Sequence, residues 1–319
     1  MDTGKNFPVR LAVVIPCHNE EEVLAETSEQ LRALLNRLCS DGRITADSYV
    51  LLVDDGSKDG TWQQIENLYK KDSHFHGLKL SRNFGHQNAL LAGLMHVDDA
   101  DIIVSIDADL QDDPGAITAM VNKYAEGYDV VYGVRDSRQT DSWAKRRTAL
   151  GFYRVLSWLG VQSVYNHADY RLLSRRVMNA LKSFEEVNLY LRGLVPLVGF
   201  KQASVYYDRG KRMAGESKYN FRKMFSFAWD GLTSLSVRPL HFVTLLGIVV
   251  FFLSILLTIY ALCSYLFFKT VTGWASTVIP IYFLGGVQLL CTGLIGEYVG
   301  KIYKEVKQRP RFIIEEHLK

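Results

Sequence analysis

Cysteine is scarce in this chain, and what there is does not pair: Cys17, Cys39, Cys263 and Cys291 form no CxxC. A disulfide framework and a zinc site are therefore disfavoured. Net charge is equally slight, +3 over 319 residues, too little by itself to imply a nucleic-acid partner. Neither GxGxxG nor GxxxxGK(S/T) occurs, so neither the usual dinucleotide fingerprint nor a P-loop is available. Met1 to Arg10 has no apolar core of a secretory signal, so the long polar part is expected to stay in the cytosol. No internal repeat or low-complexity segment is evident.

Charge is missing altogether from Phe242 to Phe268 and from Thr270 to Gly296. Each stretch exceeds the roughly 20 helical residues that cross a hydrocarbon core. They predict a two-helix membrane hairpin within 238–302, with spans at 242–268 and 274–298. Lys269 is the only charge between them, whereas Arg238 precedes the first and Lys301, Lys304, Lys307, Arg309 and Arg311 follow the second. By the positive-inside rule both flanks and both termini are cytoplasmic, as in a multi-pass protein of the inner or plasma membrane.

The N-terminal part alternates strand and helix patterns. Leu11-Ala12-Val13-Val14-Ile15 is a short apolar run that Pro16, unable to donate to a ladder, is expected to end. Val23, Leu24, Leu31, Leu34, Leu35 and Leu38 then fall at helical spacing. Tyr49 to Val53 predicts a second strand, Leu78 to Leu80 a third, Ile102 to Ile106 a fourth and Asp129 to Gly133 a fifth. Helices are expected over Ala89 to Met95 and Ala116 to Ala125. The alternation implies an α/β fold with a mainly parallel sheet and helices on both faces. Ligands of such sheets bind beyond the carboxyl ends of the strands, where Asn19, Asp54, Asp55, Asp107 and Asp109 fall.

Ser105-Ile106-Asp107-Ala108-Asp109-Leu110-Gln111 carries the most chemistry. Side chains two apart on an extended chain share a face, so Asp107 and Asp109 should converge with Gln111 just beyond. Their oxygens suit Mg²⁺ or Mn²⁺, whose shell is commonly completed by nucleotide phosphates. The competing reading is an acidic turn in which Asp112 or Asp113 caps the helix begun by Pro114. Turn chemistry competes likewise at Asn19 and Asp54. His18, His74, His76 and His86 lack metal-ligand spacing and read as loop residues.

Val14-Ile15-Pro16-Cys17-His18-Asn19-Glu20-Glu21, Val53-Asp54-Asp55-Gly56-Ser57, Asp107-Ala108-Asp109-Leu110-Gln111, Gly215-Glu216-Ser217-Lys218-Tyr219 and Arg309-Pro310-Arg311 follow one another in a telling order. Nearly end to end, the chain resembles the family 2 glycosyltransferases of GT-A (Rossmann-like) fold. The resemblance is to polyprenyl-phosphate glycosyltransferases related to dolichyl-phosphate mannose synthase, in the bacterial form that ends in two membrane helices. It implies that Pro16, Asn19, Glu20, Asp54, Asp55 and Asp107 bind a nucleotide sugar, while Asp107, Asp109 and Gln111 hold Mg²⁺ or Mn²⁺ against its diphosphate. Asp169, in His167-Ala168-Asp169-Tyr170-Arg171, resembles the segment that approaches the acceptor; an N-cap or a salt bridge to Arg171 is the competing reading. Asp109, Asp169 and Arg212 form the expected catalytic set. Arg135, Arg146 and Lys218 are candidates for the lipid phosphate, since cationic side chains bind phosphate and guanidinium does so bidentately. No QxxRW is present, which disfavours a processive polymerase.

Asp141 to Gly160 and Asn220 to Leu235 are basic or amphipathic at helical spacing and are expected to lie at the bilayer surface, the alternative being packing on the protein's own core. The expected organisation is a catalytic domain over 1–219 containing an interfacial helix at 141–160, a second such helix at 220–237, the hairpin, and a tail over 303–319. Phe312-Ile313-Ile314 in that tail reads as a strand seeking the edge of a neighbouring subunit, hence a homo-oligomer, with a tetramer favoured. The expected activity is inverting transfer of one sugar, from UDP-glucose or UDP-N-acetylglucosamine, to undecaprenyl phosphate for cell-envelope glycan decoration. The rival is a non-catalytic membrane protein that binds a nucleotide sugar or helps a lipid-linked sugar across the bilayer.

Overall fold

The structure, a computed structural model, describes residues 5–135, 167–186, 191–208, 238–267 and 274–319. Two compact units divide the chain: Met1–Arg154, Gln162–Phe221 and Pro310–Lys319 form one, and Val155–Val161 with Arg222–Arg309 form the other.

The first unit is built on an eight-stranded sheet of order β7-β5-β6-β4-β1-β2-β3-β8. Its strands are β1 (Leu11–Cys17), β2 (Tyr49–Asp54), β3 (Phe75–Leu80), β4 (Ile102–Ser105), β5 (Val130–Arg135), β6 (His167–Ser174), β7 (Gln202–Tyr207) and β8 (Ile314–Leu318). β1, β2 and β4 are buried along their whole length, as strands covered on both faces must be. Contrary to expectation, Pro16 does not end β1; it sits in the ladder opposite Val53, and the strand runs on to Cys17.

The sheet is mixed. β1 pairs in parallel with β2 and β4, β2 with β3, and β5 with β7. β6 runs antiparallel between β4 and β5, and β8 antiparallel along β3. The tail strand that was expected to seek a neighbouring subunit thus lies on an edge of its own chain.

One layer of helices comprises α1 (Leu24–Ser40), α2 (Thr61–Lys71) and α4 (Ala116–Ala125). Their Leu31, Leu35, Leu38, Ile65, Ile117 and Met120 share a core with Leu11, Val13, Ile15, Val50, Leu52 and Val104. On the other face α3 (His86–His96) comes so close that a Cβ on Gly93 would stand 2.4 Å from Val14 Cγ1 and 2.8 Å from Val53 Cγ2. Two short helices, α5 (Arg175–Leu181) and α6 (Leu191–Leu197), follow β6.

The second unit contains α7 (Arg238–Phe267) and α8 (Trp274–Lys307). Here the expected two-span hairpin is corrected. Among the described residues one helical segment, Phe283–Lys307, is long and apolar enough to cross a membrane. Of the two expected spans, the second falls in α8, which supplies this segment, and the first falls in α7, which is not among the qualifying segments of the described residues. The multi-pass topology, the two-helix C-terminal type and the placement of both termini rested on paired spans and fall with them. The expected interfacial helices at 141–160 and 220–237 lie outside the described residues.

Candidate active site

The carboxyl ends of β1, β2, β4 and β5 lie along one edge, and the loops leaving them hold one another in place. Asp55, just past β2, is 2% exposed. Its carboxylate accepts the backbone N–H groups of Phe84 at 2.7 Å and Gly85 at 2.9 Å, shaping the turn into α3. Gly56 (φ 64°) lets that turn approach, since a Cβ there would meet the Arg82 carbonyl carbon at 2.4 Å. Asp54, fully buried, accepts the Ser57 N–H at 3.3 Å, and burial raises its pKa. His18 Nδ1 lies 3.0 Å from the Asp55 carbonyl and its Nε2 3.0 Å from Asn83 Nδ2. These contacts fit the neutral tautomer that donates from Nδ1. Asn19, in the left-handed region at φ 55°, accepts the Lys58 N–H at 2.8 Å, while the Glu20 N–H donates to Thr61 Oγ1 at 2.9 Å. Pro16, Asn19, Glu20, Asp54 and Asp55 therefore come together around one set of loops, with a local turn bond at Asp54 and a bond between loops at Asn19.

β4 ends at Ser105, so Asp107 and Asp109 belong to a turn and not to an extended chain; alternation along a strand is not what relates them. The turn is pinned by Ile106 N–H donating to the Val14 carbonyl at 3.2 Å and the Thr27 hydroxyl donating to the Ala108 carbonyl at 2.8 Å. Leu110 takes φ 53°, and Asp109 accepts the Gln111 N–H at 3.2 Å. Burial drives the Asp107 pKa up to about 6 although His86 opposes it, and Asp169, Asp112 and Asp109 push it further. Crowded oxygen donors of this kind suit a hard divalent cation. Among the described residues no three His, Cys, Asp or Glu side chains group as metal ligands. The turn itself offers two carboxylates and the Gln111 amide.

Asp112 and Asp113 do not cap α4 through their side chains; its N-cap is Gly115. Asp113 accepts the Gly115 N–H at 2.8 Å, and Asp112, 1% exposed, is held by Arg135 at 2.8 Å and by the Tyr207 hydroxyl at 2.6 Å. Arg135, expected at the lipid phosphate, is thus engaged by a buried carboxylate. Arg146, Arg212 and Lys218 lie outside the described residues.

Because β6 is antiparallel, its beginning arrives where β4 ends. Arg171 is in register with Ser105, and the Ser105 hydroxyl donates to the Asp169 carbonyl at 2.5 Å. Asp169, its side chain 7% exposed, pairs with buried Arg171 and with Arg192, whose Nε and Nη2 donate at 3.2 and 3.0 Å. His86, the first residue of α3, stands between the two carboxylates, 3.5 Å from Asp107 and 3.6 Å from Asp169. Burial alone would raise the Asp169 pKa, but His86, Arg171 and Arg192 hold it well below the usual range. Burial opposes charge on His86, yet Asp169 and Asp107 carry its pKa above the ordinary value.

His86 and Arg192 were missed in the sequence. His86 carried a usable signal, since it follows the carboxyl end of a strand like the acids beside it. Arg192 had only that of a lone charge in the apolar run Leu189 to Leu197.

Residues 12–181 match the model for Glycosyl transferase family 2. An uncharacterized glycosyltransferase, YkoT, of Bacillus subtilis (strain 168) is 52% identical over 96% of this chain and 91% of its own. The SfII prophage-derived bactoprenol glucosyl transferase of Shigella flexneri is 37% identical over 96% of this chain and 98% of its own. The crystal structure of glucosyl-3-phosphoglycerate synthase from Mycobacterium tuberculosis, with Mn²⁺, UDP and phosphoglyceric acid, aligns at a TM-score of 0.48 and 15% identity over 72% of this chain and 78% of its own, too distant to carry an inference.

Proposed function

The chain belongs to glycosyl transferase family 2 and is a glycosyltransferase, and we propose that it moves one glucosyl residue from UDP-glucose to the phosphate of bactoprenol, a polyprenyl phosphate. The observation that carries the acceptor is the 37% identity to a bactoprenol glucosyl transferase over 96% of this chain and 98% of that one. A purely nucleotide-sugar-binding or translocating role is accordingly set aside.

The site geometry supports a single displacement with inversion. An acceptor phosphate oxygen attacks the anomeric carbon, the bond to the β-phosphate oxygen breaks, and UDP leaves with the electron pair. Phosphate monoesters have a second pKa of about 6, so the acceptor is largely a dianion near neutral pH and needs placement more than deprotonation. Asp169 supports that reading, for a carboxylate held well below its usual range by Arg171 and Arg192 is a poor base. We assign the loops around Pro16, Asn19, Glu20, Asp54 and Asp55 to the nucleotide.

Asp107, Asp109 and Gln111 are proposed to hold Mg²⁺ or Mn²⁺, which when bound neutralises charge developing on the departing diphosphate. The donor set fits, because hard oxygen ligands crowd one turn and incoming phosphate oxygens would complete it. Arg146, Arg212 and Lys218 remain proposed phosphate ligands. A bilayer partner is supported by the apolar segment Phe283–Lys307 and the lipid nature of the acceptor.

The test is incubation of the purified full chain with UDP-glucose and undecaprenyl phosphate, read by mass spectrometry of the lipid. A hexosyl undecaprenyl phosphate with matching UDP release is expected. Absence of lipid product across a panel of UDP-hexoses would overturn the reading.

A further inference from the structure

The electrostatics around Asp169 exceed what structure alone requires. A buried carboxylate needs one well-placed cation, and Arg171, 1% exposed on the same strand, already supplies it. Yet Arg192 and His86 are directed at the same group. The placement of Arg192 is itself over-determined. Its neighbour Leu191 is clamped from both sides, the N–H donating to Gln87 Oε1 at 3.4 Å and the carbonyl accepting from Arg171 Nη1 at 3.3 Å. The α3 turn and β6 together therefore fix the backbone from which Arg192 extends, and Asp169 holds one edge of its guanidinium, through Nε and Nη2.

The two arginines differ in access. Arg171 is sealed in the core, whereas Arg192 keeps 36% of its side chain exposed while spanning Asp169. His86 lies 3.6 Å from the same Asp169 oxygen that Arg192 Nη2 holds at 3.0 Å and 3.5 Å from Asp107, so Arg192 is linked through Asp169 and His86 to the turn proposed to hold the diphosphate. A second phosphate brought in beside a diphosphate meets repulsion, which a fixed guanidinium relieves with fork geometry suited to phosphate oxygens.

We propose that Arg192 is an acceptor-binding residue that seats the phosphate of the polyprenyl phosphate, with Asp169 as the positioning residue that orients it. The inference rests on the transferase reading above.

The experiment is steady-state kinetics of the full chain, varying UDP-glucose and undecaprenyl phosphate separately. Arg192→Gln is expected to raise the acceptor KM by about tenfold or more while the UDP-glucose KM stays within about twofold, because one charge-assisted contact is lost on one substrate only. Arg192→Lys, which keeps the charge but not the fork, is expected to fall between the two. An unchanged acceptor KM in Arg192→Gln overturns the proposal, as does a donor KM that rises in step. Should the Gln variant not fold, the Lys variant decides by the same split: no selective rise in acceptor KM overturns. If the wild type makes no lipid product, the reaction itself has been misread; if the wild type works and the split is absent, only the role of Arg192 fails.

Discussion

Asp112 grips the Arg135 guanidinium by two nitrogens, Nε at 2.9 Å and Nη2 at 2.8 Å, from a position that is 1% exposed. Removing the carboxylate leaves the cation with no countercharge from Asp112 and leaves the Tyr207 hydroxyl without its acceptor. Asp112→Ala is expected to cost about 2–4 kcal/mol, moderated because Arg135 can reach some water. Thermal unfolding should show a lowered Tm, part of which Arg135→Met added to Asp112→Ala recovers. An unchanged Tm for Asp112→Ala would show the pair to be dispensable.

Gly93 allows α3 its close approach to β1 and β2, and α3 begins with His86. Gly93→Ala drives a methyl group toward Val14 and Val53 and is expected to destabilise by about 1–3 kcal/mol. Val14→Ala in the same chain should restore part of the loss, as read by denaturant midpoint. Additive losses would mean that the contact is not the cause.

At the other edge, β8 brings His317 to within 6.0 Å of the His96 ring, edge to face. Burial, then His96 and Lys319, lower the His317 pKa. A depressed imidazole pKa means that the neutral form is favoured in the folded state. The part of β8 docking that depends on neutral His317 is therefore fully present above the ordinary value of about 6.5 and declines as pH falls from it toward the folded pKa, modestly because His317 is exposed. Hydrogen exchange over Ile314–Leu318, corrected for intrinsic rates, should quicken between about pH 8 and about pH 5.5. His317→Gln should flatten the trend; a profile identical to wild type would exclude His317 as its source.

At the turn proposed to hold the metal, Asp109→Asn keeps the size of the side chain and removes its charge. Turnover is expected to fall by on the order of 100-fold or more, with UDP affinity reduced in parallel and the fold retained by circular dichroism. Full activity of the wild type in EDTA would end the metal assignment.

How legible all this was depends on how each residue is buried. β1, β2, β4 and β5 announce themselves because both faces are covered and nearly every position is apolar. β6 hid, for no strand was read at Asp169 and Arg171, although the salt bridge between them was one of the readings their sequence offered and the structure has it. β3 was half read, since its first residues alternate Phe75, His76 and Gly77. In the site, Asp107 and Asp109 stood out by residue type, although the turn that relates them was mistaken for a strand. His86 was passed over because it was judged only as a metal ligand, and what it does is stand between two carboxylates. Two membrane spans were read from two uncharged stretches, and among the described residues only the second, in α8, supplies a qualifying segment.

The reversed direction of β6 separates the length of the chain from the geometry of the site. β5 leaves the sheet at the carboxyl edge with Arg135, and β6 re-enters at the same edge with His167, locked in register against β4 and β5. Whatever number of residues joins those two points, Asp169 returns to the same place beside Asp107. The spacing of Asp169 from the turn after β4 is thus set by pairing within the sheet, as a workpiece is set by a fixed chuck, and Arg146 in the joining stretch can serve the phosphate without having to position Asp169.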